Sequence, residues 1–205
     1  MMNLLENFSQ EKMAAYSLHW DPAPIRWEPL PEGGIRVTVP AKADYFRDPA
    51  GVNVNDNAPF LSMSVTGDFV ARAHIRPTFA STYDSGVIMA RHDAQNWAKV
   101  CFEKTDFGTT AAVSVVTRGL SDDANGADLA VPDVWLQMVR SGNVFAVHYA
   151  LDGMKWRMVR IFNLDVPPAV RVGIVAQCPV GPGTTIDFLS FSIEQRAIQN
   201  ARAGI

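Results

Sequence analysis

The sequence has few of the features that mark secreted, membrane or metal-binding proteins. Its 205 residues include only two cysteines, Cys101 and Cys178, which fall on different predicted strands without metal-ligand spacing. Both are expected to be reduced thiols, with a disulfide as the alternative if the chain is exported. No apolar run approaches the roughly 20 residues of a membrane span, and the N-terminus lacks a secretory signal pattern. We therefore expect a cytoplasmic protein without membrane contact.

Concentrated positive charge is also lacking. The formal net charge is -3 at pH 7, and the isoelectric point is about 5.8. Because phosphate binding needs a positive patch, nucleic acid is not expected as a partner. The 48% hydrophobic content is enough for a substantial core, which favours one domain over residues 1–205, with its core at about 18–195.

What the chain has instead is a series of short extended segments separated by turn residues. Closely spaced strands of this kind predict an all-β sandwich or barrel. Short helices are possible at the termini, over residues 3–17 and 194–203. The candidate strands are 34–40, 60–65, 68–76, 86–91, 97–103, 111–118, 134–140, 143–151, 156–161, 170–177 and 185–193.

The turn residues predict part of the topology. Gly142 and Asp152-Gly153 favour tight hairpins, so residues 134–161 are interpreted as a three-stranded antiparallel meander. The polar segment 121–128 is predicted to be a flexible loop at the rim of a binding face.

Several motifs together resemble a known family. They are Trp20 to Trp27, Val37 to Asp48, Tyr83 to Met89 leading to Trp97-Ala98-Lys99, Ser114 to Thr117, Val134 to Leu136, and Tyr149 to Trp156. In this order they resemble the regulation-of-enolase-like family of concanavalin A-like domains, over residues 20–193. The resemblance implies a jelly-roll sandwich of two antiparallel sheets, similar to that of legume lectins and several glucanases. The chain has Ser121-Asp122-Asp123 where relatives commonly show Ser-Asp-Trp.

The segment 97–103 carries the main functional hypothesis. Side chains alternate along a strand, so Ala98, Val100 and Phe102 are predicted to be buried. The opposite face then presents an aromatic, a cation and a carboxylate to a ligand: Trp97, Lys99 and Glu103.

Neighbouring strands are expected to extend this face into one concave groove. The additional candidates are His74, Arg91, Ser114, Trp135, Gln137 and His148. Aromatic, charged and amide groups in this combination are typical of a site for a polar ligand. The alternative is that Lys99 and Glu103 form solvated cross-strand pairs on an exposed sheet.

Signals for catalysis and for metals are weak. A glycosidase needs two carboxyl groups, and the Glu-x-Asp-x-x-Glu strand of the concanavalin A-like glucanases is missing. Glu103 is the only glutamate between Glu32 and Glu194, so its partner would be an aspartate such as Asp84 or Asp106. The Asx-rich segments 53–57 and 122–128 could hold Ca²⁺, but Asx residues in turns more often cap their own backbone. No metal or cofactor is predicted.

The sequence therefore predicts a non-enzymatic domain whose concave sheet face binds a polar ligand, with a carbohydrate as the leading candidate. One alternative is a protein–protein interaction module, and a second is a glycoside hydrolase using Glu103. If Glu103 is an exposed carboxylate, Glu103→Gln should weaken ligand binding with little loss of stability.

Overall fold

Two antiparallel β-sheets of seven strands each dominate the computed structural model, which describes residues 2–205. Within those residues there are one short helix and sixteen strands. The elements are α1 Gln10–Ala15, β1 His19–Trp20, β2 Arg26–Pro29, β3 Ile35–Pro40, β4 Tyr45–Arg47, β5 Val54–Asp56, β6 Phe60–Thr66, β7 Phe69–Pro77, β8 Ser85–Arg91, β9 Asn96–Lys104, β10 Thr110–Arg118, β11 Leu120–Asp128, β12 Val134–Ser141, β13 Val144–Ala150, β14 Arg157–Asn163, β15 Ala169–Gln177 and β16 Gly183–Gln195.

The strands are arranged in two large sheets and one hairpin. Sheet A has the order β1-β6-β15-β8-β9-β10-β11, and sheet B has the order β14-β13-β12-β7-β16-β3-β2. The short strands β4 and β5 pair only with each other. The predicted all-β fold with two antiparallel sheets is confirmed, and so is the meander, which forms β12, β13 and β14.

Strand β7 shows how the sequence builds the core. Its inward residues Ala71, Ala73 and Ile75 are fully buried, whereas the alternating Arg72 and His74 are only partly covered. This is the two-residue period expected of a strand that packs on one face. Strand β9 differs, because its residues are buried on both faces from Trp97 to Glu103.

The second face of β9 is buried because the β4–β5 hairpin covers the outer surface of sheet A. The Tyr45 ring lies 6.3 Å from the Trp97 ring and 6.2 Å from the Phe60 ring, in edge-on contacts. The Tyr45 carbonyl accepts a hydrogen bond from Lys99 Nζ at 2.6 Å. Sheet A is therefore a middle layer, with sheet B on one side and the hairpin on the other.

Two details differ from the sequence prediction, and one possible helix is present. Residues 121–128 are not a loop but belong to the edge strand β11, since backbone pairing to β10 outweighs their low strand propensity. The possible C-terminal helix does not form, because residues 194–195 extend β16 and 196–205 are irregular or in turns. The N-terminal helix does form, over Gln10–Ala15, with Ser9 as its N-cap. No helix among residues 2–205 is long and apolar enough to cross a bilayer.

Close approach of the two sheets makes one glycine irreplaceable. A Cβ at Gly86 would lie 2.2 Å from Cγ2 of Ile75 and 2.9 Å from Cγ2 of Ile186, both in sheet B. Gly86→Ala should lower the free energy of unfolding by about 2 kcal/mol or more, because overpacking forces side chains off their rotamers. Denaturant titration measures the loss. The neighbouring Ser85→Ala, which removes a buried hydroxyl without a partner, should change stability much less, and equal losses would contradict this account.

Candidate functional site

A cavity of about 310 Å³ lies between the outer face of sheet A and the β4–β5 hairpin. Its apolar lining is Phe46, Val115, Pro179 and Val180. Its polar lining is Asp44, Asn55, Tyr83, Lys99, Glu103, Asp123 and Gln177. A small cavity with several convergent polar groups and an apolar wall has the composition of a ligand pocket.

Strand register brings the polar groups together. Lys99 on β9 faces Val115 on β10, and Val115 in turn faces Asp123 on the edge strand β11. Glu103 lies four residues after Lys99, so the two side chains share one face. Gln177 reaches the same face from β15 through the common neighbour β8.

Lys99 is the buried cation at the base of the cavity, with a relative exposure of 3%. Its Nζ donates to the Tyr45 carbonyl at 2.6 Å and to Gln177 Oε1 at 3.1 Å, and it lies 3.6 Å from Asp44 Oδ1. Gln177 Nε2 donates to Asp44 Oδ1 at 2.7 Å, which closes the network. Burial opposes the charged form of Lys99, but Asp44 and the other nearby acidic groups outweigh it and raise the pKa of Lys99.

Glu103 is the buried acid of the cavity. Its relative exposure is 8%, and the structure shows no hydrogen bond to its carboxyl group from any residue in 2–205. Burial raises the pKa of Glu103 to about 8; Lys99 opposes this shift, while Asp123 and Asp44 add to it. At neutral pH the carboxyl group is therefore mostly protonated, and it can both donate and accept hydrogen bonds.

Two further residues sit at the rim. Asp123 is exposed on β11, and partial burial of its carboxyl group raises its pKa, with Lys99 opposing. Tyr83 is also exposed and has a backbone φ of 67°, a left-handed conformation that is uncommon for residues other than glycine. Strained residues of this kind cluster at functional sites.

The predicted face of β9 is partly right. Lys99 and Glu103 do share a face, and Ala98, Val100 and Phe102 are buried as predicted. The expectation that the face with Lys99 and Glu103 is open to solvent is wrong, since the β4–β5 hairpin covers it. The alternative of solvated cross-strand pairs is wrong for the same reason: Lys99 is buried and its ionic partner is Asp44.

Three other candidates on sheet A do not line the cavity. Trp97 is fully buried beneath Tyr45, and its indole nitrogen donates to the Ala94 carbonyl at 3.3 Å. Arg91 lies over the Tyr45 ring, 5.6 Å from its centroid. Ser114 pairs with Val100 on the face that packs against sheet B, so it belongs to the core between the sheets.

The remaining four candidates lie on the opposite surface of the molecule, on the outer face of sheet B. His74 pairs with Trp135, and Gln137 pairs with His148. The prediction that all nine residues line one concave sheet is therefore wrong. Strand alternation predicts which way a side chain points relative to its own sheet, but it does not predict which of two sheets a strand joins.

These four residues interact with each other and with the C-terminal segment. The His74 and Trp135 rings stack with centroids 4.4 Å apart, and His74 Nε2 lies 2.6 Å from Asp133 Oδ1. His148 Nε2 lies 3.1 Å from the Arg202 carbonyl oxygen, and its burial lowers its pKa.

Sequence reasoning missed most of the cavity's polar lining. Asp44 lies in a non-periodic segment, Asp123 in a segment interpreted as a loop, and Gln177 at the end of a strand. Asp44 and Tyr83 had a usable signal, because they lie within the motifs Val37 to Asp48 and Tyr83 to Met89 that carry the family resemblance.

No metal site emerges. Among residues 2–205 no three His, Cys, Asp or Glu side chains converge closely enough to hold an ion. Of the two segments considered for Ca²⁺, residues 53–57 overlap β5 and residues 122–128 form most of β11.

The sequence of this chain is similar to a protein family and to a yeast protein. The model of a family described as "Protein of unknown function (DUF1349)" matches residues 20–196. A relative from Saccharomyces cerevisiae, "Regulation of enolase protein 1", is 26% identical over 162 residues, which is 78% of this chain and 81% of the relative.

Two solved structures share the fold. A functionally unknown protein from Saccharomyces cerevisiae superposes with a TM-score of 0.80 at 24% identity, covering 87% of this chain and 96% of that one. The carbohydrate-binding module CBM66 from Bacillus subtilis gives a TM-score of 0.54 at 16% identity, covering 86% of this chain and 95% of that one.

The raised pKa of Glu103 predicts a pH-dependent stability. The carboxyl group titrates near its ordinary value of 4.5 when unfolded and at about 8 when folded. Between these values the folded protein holds the extra proton, so stability falls as pH rises, by at most about 1.4 kcal/mol per pH unit. Glu103→Gln cannot ionise and should therefore gain stability relative to wild type from pH 5 to pH 8.5.

Thermal or denaturant unfolding at several pH values measures this gain. The exposed Glu194→Gln is the matched control and should track wild type at every pH. A Glu103→Gln curve parallel to that of wild type would show that the buried carboxyl group ionises normally.

Removing the buried cation should be far more damaging. Lys99→Met leaves the Asp44 carboxylate next to an apolar side chain and Gln177 without a donor, so we expect a loss of about 3 to 5 kcal/mol in the free energy of unfolding. Lys104→Met on the same strand is the control, because among residues 2–205 the ammonium group of Lys104 makes only one long hydrogen bond, 3.5 Å to the Phe79 carbonyl. Equal losses for the two variants would contradict a structural role for the Lys99 network.

Proposed function

Since the chain belongs to the family described as "Protein of unknown function (DUF1349)", whose description assigns no activity, we propose a function from the cavity itself. The cavity beneath the β4–β5 hairpin binds a small polar ligand, a carbohydrate, without chemical turnover. The observation that carries this proposal is the buried Glu103 carboxyl group, which lines the cavity without a hydrogen-bond partner among residues 2–205. The carboxyl group faces the cavity, so a ligand hydroxyl can form hydrogen bonds with it that the described residues do not make, each worth about 0.5 to 1.5 kcal/mol.

The rest of the lining supports a polyhydroxylated ligand. Asn55 and Gln177 supply amides, Tyr83 a phenol, and Asp123 an exposed carboxylate. Phe46 provides an aromatic wall of the kind that packs against the apolar face of a sugar ring. The fold of the Bacillus subtilis carbohydrate-binding module is consistent with this ligand class but does not by itself assign an activity.

Two alternatives remain proposals. A glycoside hydrolase would use Glu103 as the general acid, for which its raised pKa is suitable, with Asp123 in the same cavity as the second carboxyl group. A protein-interaction module is the function that the name of the yeast relative, "Regulation of enolase protein 1", favours. A polar concave cavity fits a small ligand better.

A cytoplasmic location belongs to the same proposal. It is supported by two buried cysteines that form no disulfide, Cys101 and Cys178.

The test is a glycan-array screen followed by calorimetry with the strongest hit. Glu103→Ala should weaken binding at least tenfold, because it removes both the donor and the acceptor of the neutral carboxyl group. Glu103→Gln should bind within a few-fold of wild type at pH 7, since an amide also donates and accepts. This replaces the expectation from the sequence that Glu103→Gln weakens ligand binding, which assumed an exposed, ionised carboxylate.

The controls separate the alternatives. Glu28→Ala removes a glutamate far from the cavity on the edge strand β2 and should bind like wild type. Release of product from the bound glycan would favour the hydrolase. No glycan binding, together with specific capture of a protein partner that Glu103→Ala does not affect, would contradict the proposal.

A further inference from the structure

A second depression, of about 300 Å³, lies on the outer face of sheet B. It is lined by Asn3, Arg72, Trp135, Gly153, Ser190 and Ser192. The lining contains one cation and no carboxyl group. This cavity is separate from the one beside Glu103, because the two lie on opposite surfaces of the sandwich.

The sheet places Arg72 at the centre of this depression. Its strand β7 runs between β12 and β16, with Arg72 opposite Gln137 on one side and Ser192 on the other. The next outward residue, His74, is opposite Trp135 and Ser190. Four outward side chains on these three adjacent strands line the depression: Arg72, Trp135, Ser190 and Ser192.

Arg72 is held in a fixed orientation. Its Nε donates to Gln137 Oε1 at 2.6 Å, and Gln137 Nε2 donates to the Gly204 carbonyl at 3.0 Å. The guanidinium carbon lies 4.9 Å from the centre of the Trp156 ring. These contacts use one edge and one face of the guanidinium group, and its terminal nitrogens make no hydrogen bond to any residue in 2–205.

Arg72 differs from several arginines of this surface because it forms no ion pair within residues 2–205, although the charge of Glu194 acts on it. Arg36 and Arg76, on the same surface, share the Asp187 carboxylate, and Arg160 pairs with Asp122. Arg72 has no such ion pair among residues 2–205, although it is half-buried. Burial, followed by the like charge of Arg196, lowers its pKa, but a guanidinium group stays protonated in proteins.

Asn3 adds a second donor that lacks an acceptor. Its Oδ1 accepts from the backbone amides of Leu5 and Phe191, at 3.0 and 3.1 Å. Both acceptor sites of that oxygen are therefore used, and the amide NH₂ group donates to no residue in the described range 2–205. A half-buried depression with a fork of cationic donors and a neutral donor, and with no acidic lining residue, is complementary to an anion.

We propose that this depression binds a small carboxylate ligand, with the terminal nitrogens of Arg72 paired to the two carboxylate oxygens and the Asn3 amide donating to one of them. A carboxylate fits better than a phosphate ester, because one guanidinium balances one negative charge while a phosphate monoester carries about -1.5 to -2 at pH 7. Trp135 is fixed between the His74 ring and Gly153, where a Cβ would lie 3.0 Å from Trp135 Cε2. It serves as a rigid wall beside the body of the ligand.

Calorimetric titration with D-glucuronate, D-glucose and glucose 6-phosphate tests the proposal at low ionic strength. Wild type should bind glucuronate at least tenfold more tightly than glucose, which lacks the carboxylate, and more tightly than the phosphate ester. Arg72→Gln should lose at least tenfold in glucuronate affinity. Arg157→Gln removes an equal charge from an exposed position on the same sheet and should stay within twofold of wild type.

Two further variants distinguish a loss of binding from a loss of folding. Arg72→Lys keeps the charge but not the planar fork, and should also weaken binding. Asn3→Asp keeps the oxygen that accepts from Leu5 and Phe191 but places a negative charge beside the ligand, so it should weaken binding while the melting temperature stays close to that of wild type.

Several results would overturn the proposal. They are no binding of glucuronate, equal binding of glucose, tighter binding of glucose 6-phosphate, and equal effects of the Arg72 and Arg157 variants. Arg72→Gln should lower the affinity for glucuronate, whereas Glu103→Ala should lower the affinity for the glycan-array hit, so failure of this proposal is distinguishable from failure of the function proposed for the Glu103 cavity.

Discussion

The structure depends on the compensation of one buried ammonium group. Lys99 lies on a strand that is covered on both faces, and taking its charge out of water would cost several kcal/mol without partners. Asp44, Gln177 and the Tyr45 carbonyl supply those partners. Two of the three belong to the segment that enters β4, so the same network that satisfies the charge also fixes the hairpin on sheet A.

The hairpin in turn determines the chemistry of the cavity. An uncovered sheet face would leave Glu103 in water with an ordinary pKa, whereas the covered face keeps it protonated near neutral pH. The ammonium of Lys99 limits the shift but does not abolish it, because its closest carboxylate is that of Asp44. A neutral carboxyl group and a fully paired cation therefore stand side by side, which suits recognition of hydroxyl groups better than ionic binding.

The two outer surfaces of the sandwich are used differently. On sheet A an inserted hairpin forms a cavity with a neutral acid, while on sheet B the N-terminal residue Asn3 borders a depression whose arginine forms no ion pair within residues 2–205. Gln137 shows the link to the C-terminal segment, since its amide joins Arg72 to the Gly204 carbonyl. On each surface a polar group keeps hydrogen-bonding positions that residues 2–205 do not use: the Glu103 carboxyl group beneath the hairpin and the terminal nitrogens of Arg72 on sheet B.

The sequence alone determined the all-β class, most of the strands, the meander of β12 to β14, and the faces of β9, because side-chain alternation and turn residues are local properties of the chain. It did not determine which strands share a sheet, so Ser114 was assigned to a surface although it lies in the core, and His74 was grouped with Lys99 although they lie on opposite surfaces. Nor did it predict the cover over Lys99 and Glu103. Only the tertiary structure decided these points, because sheet membership and the burial of a sheet's second face depend on contacts between residues far apart in the chain, as between Asp44 and Lys99.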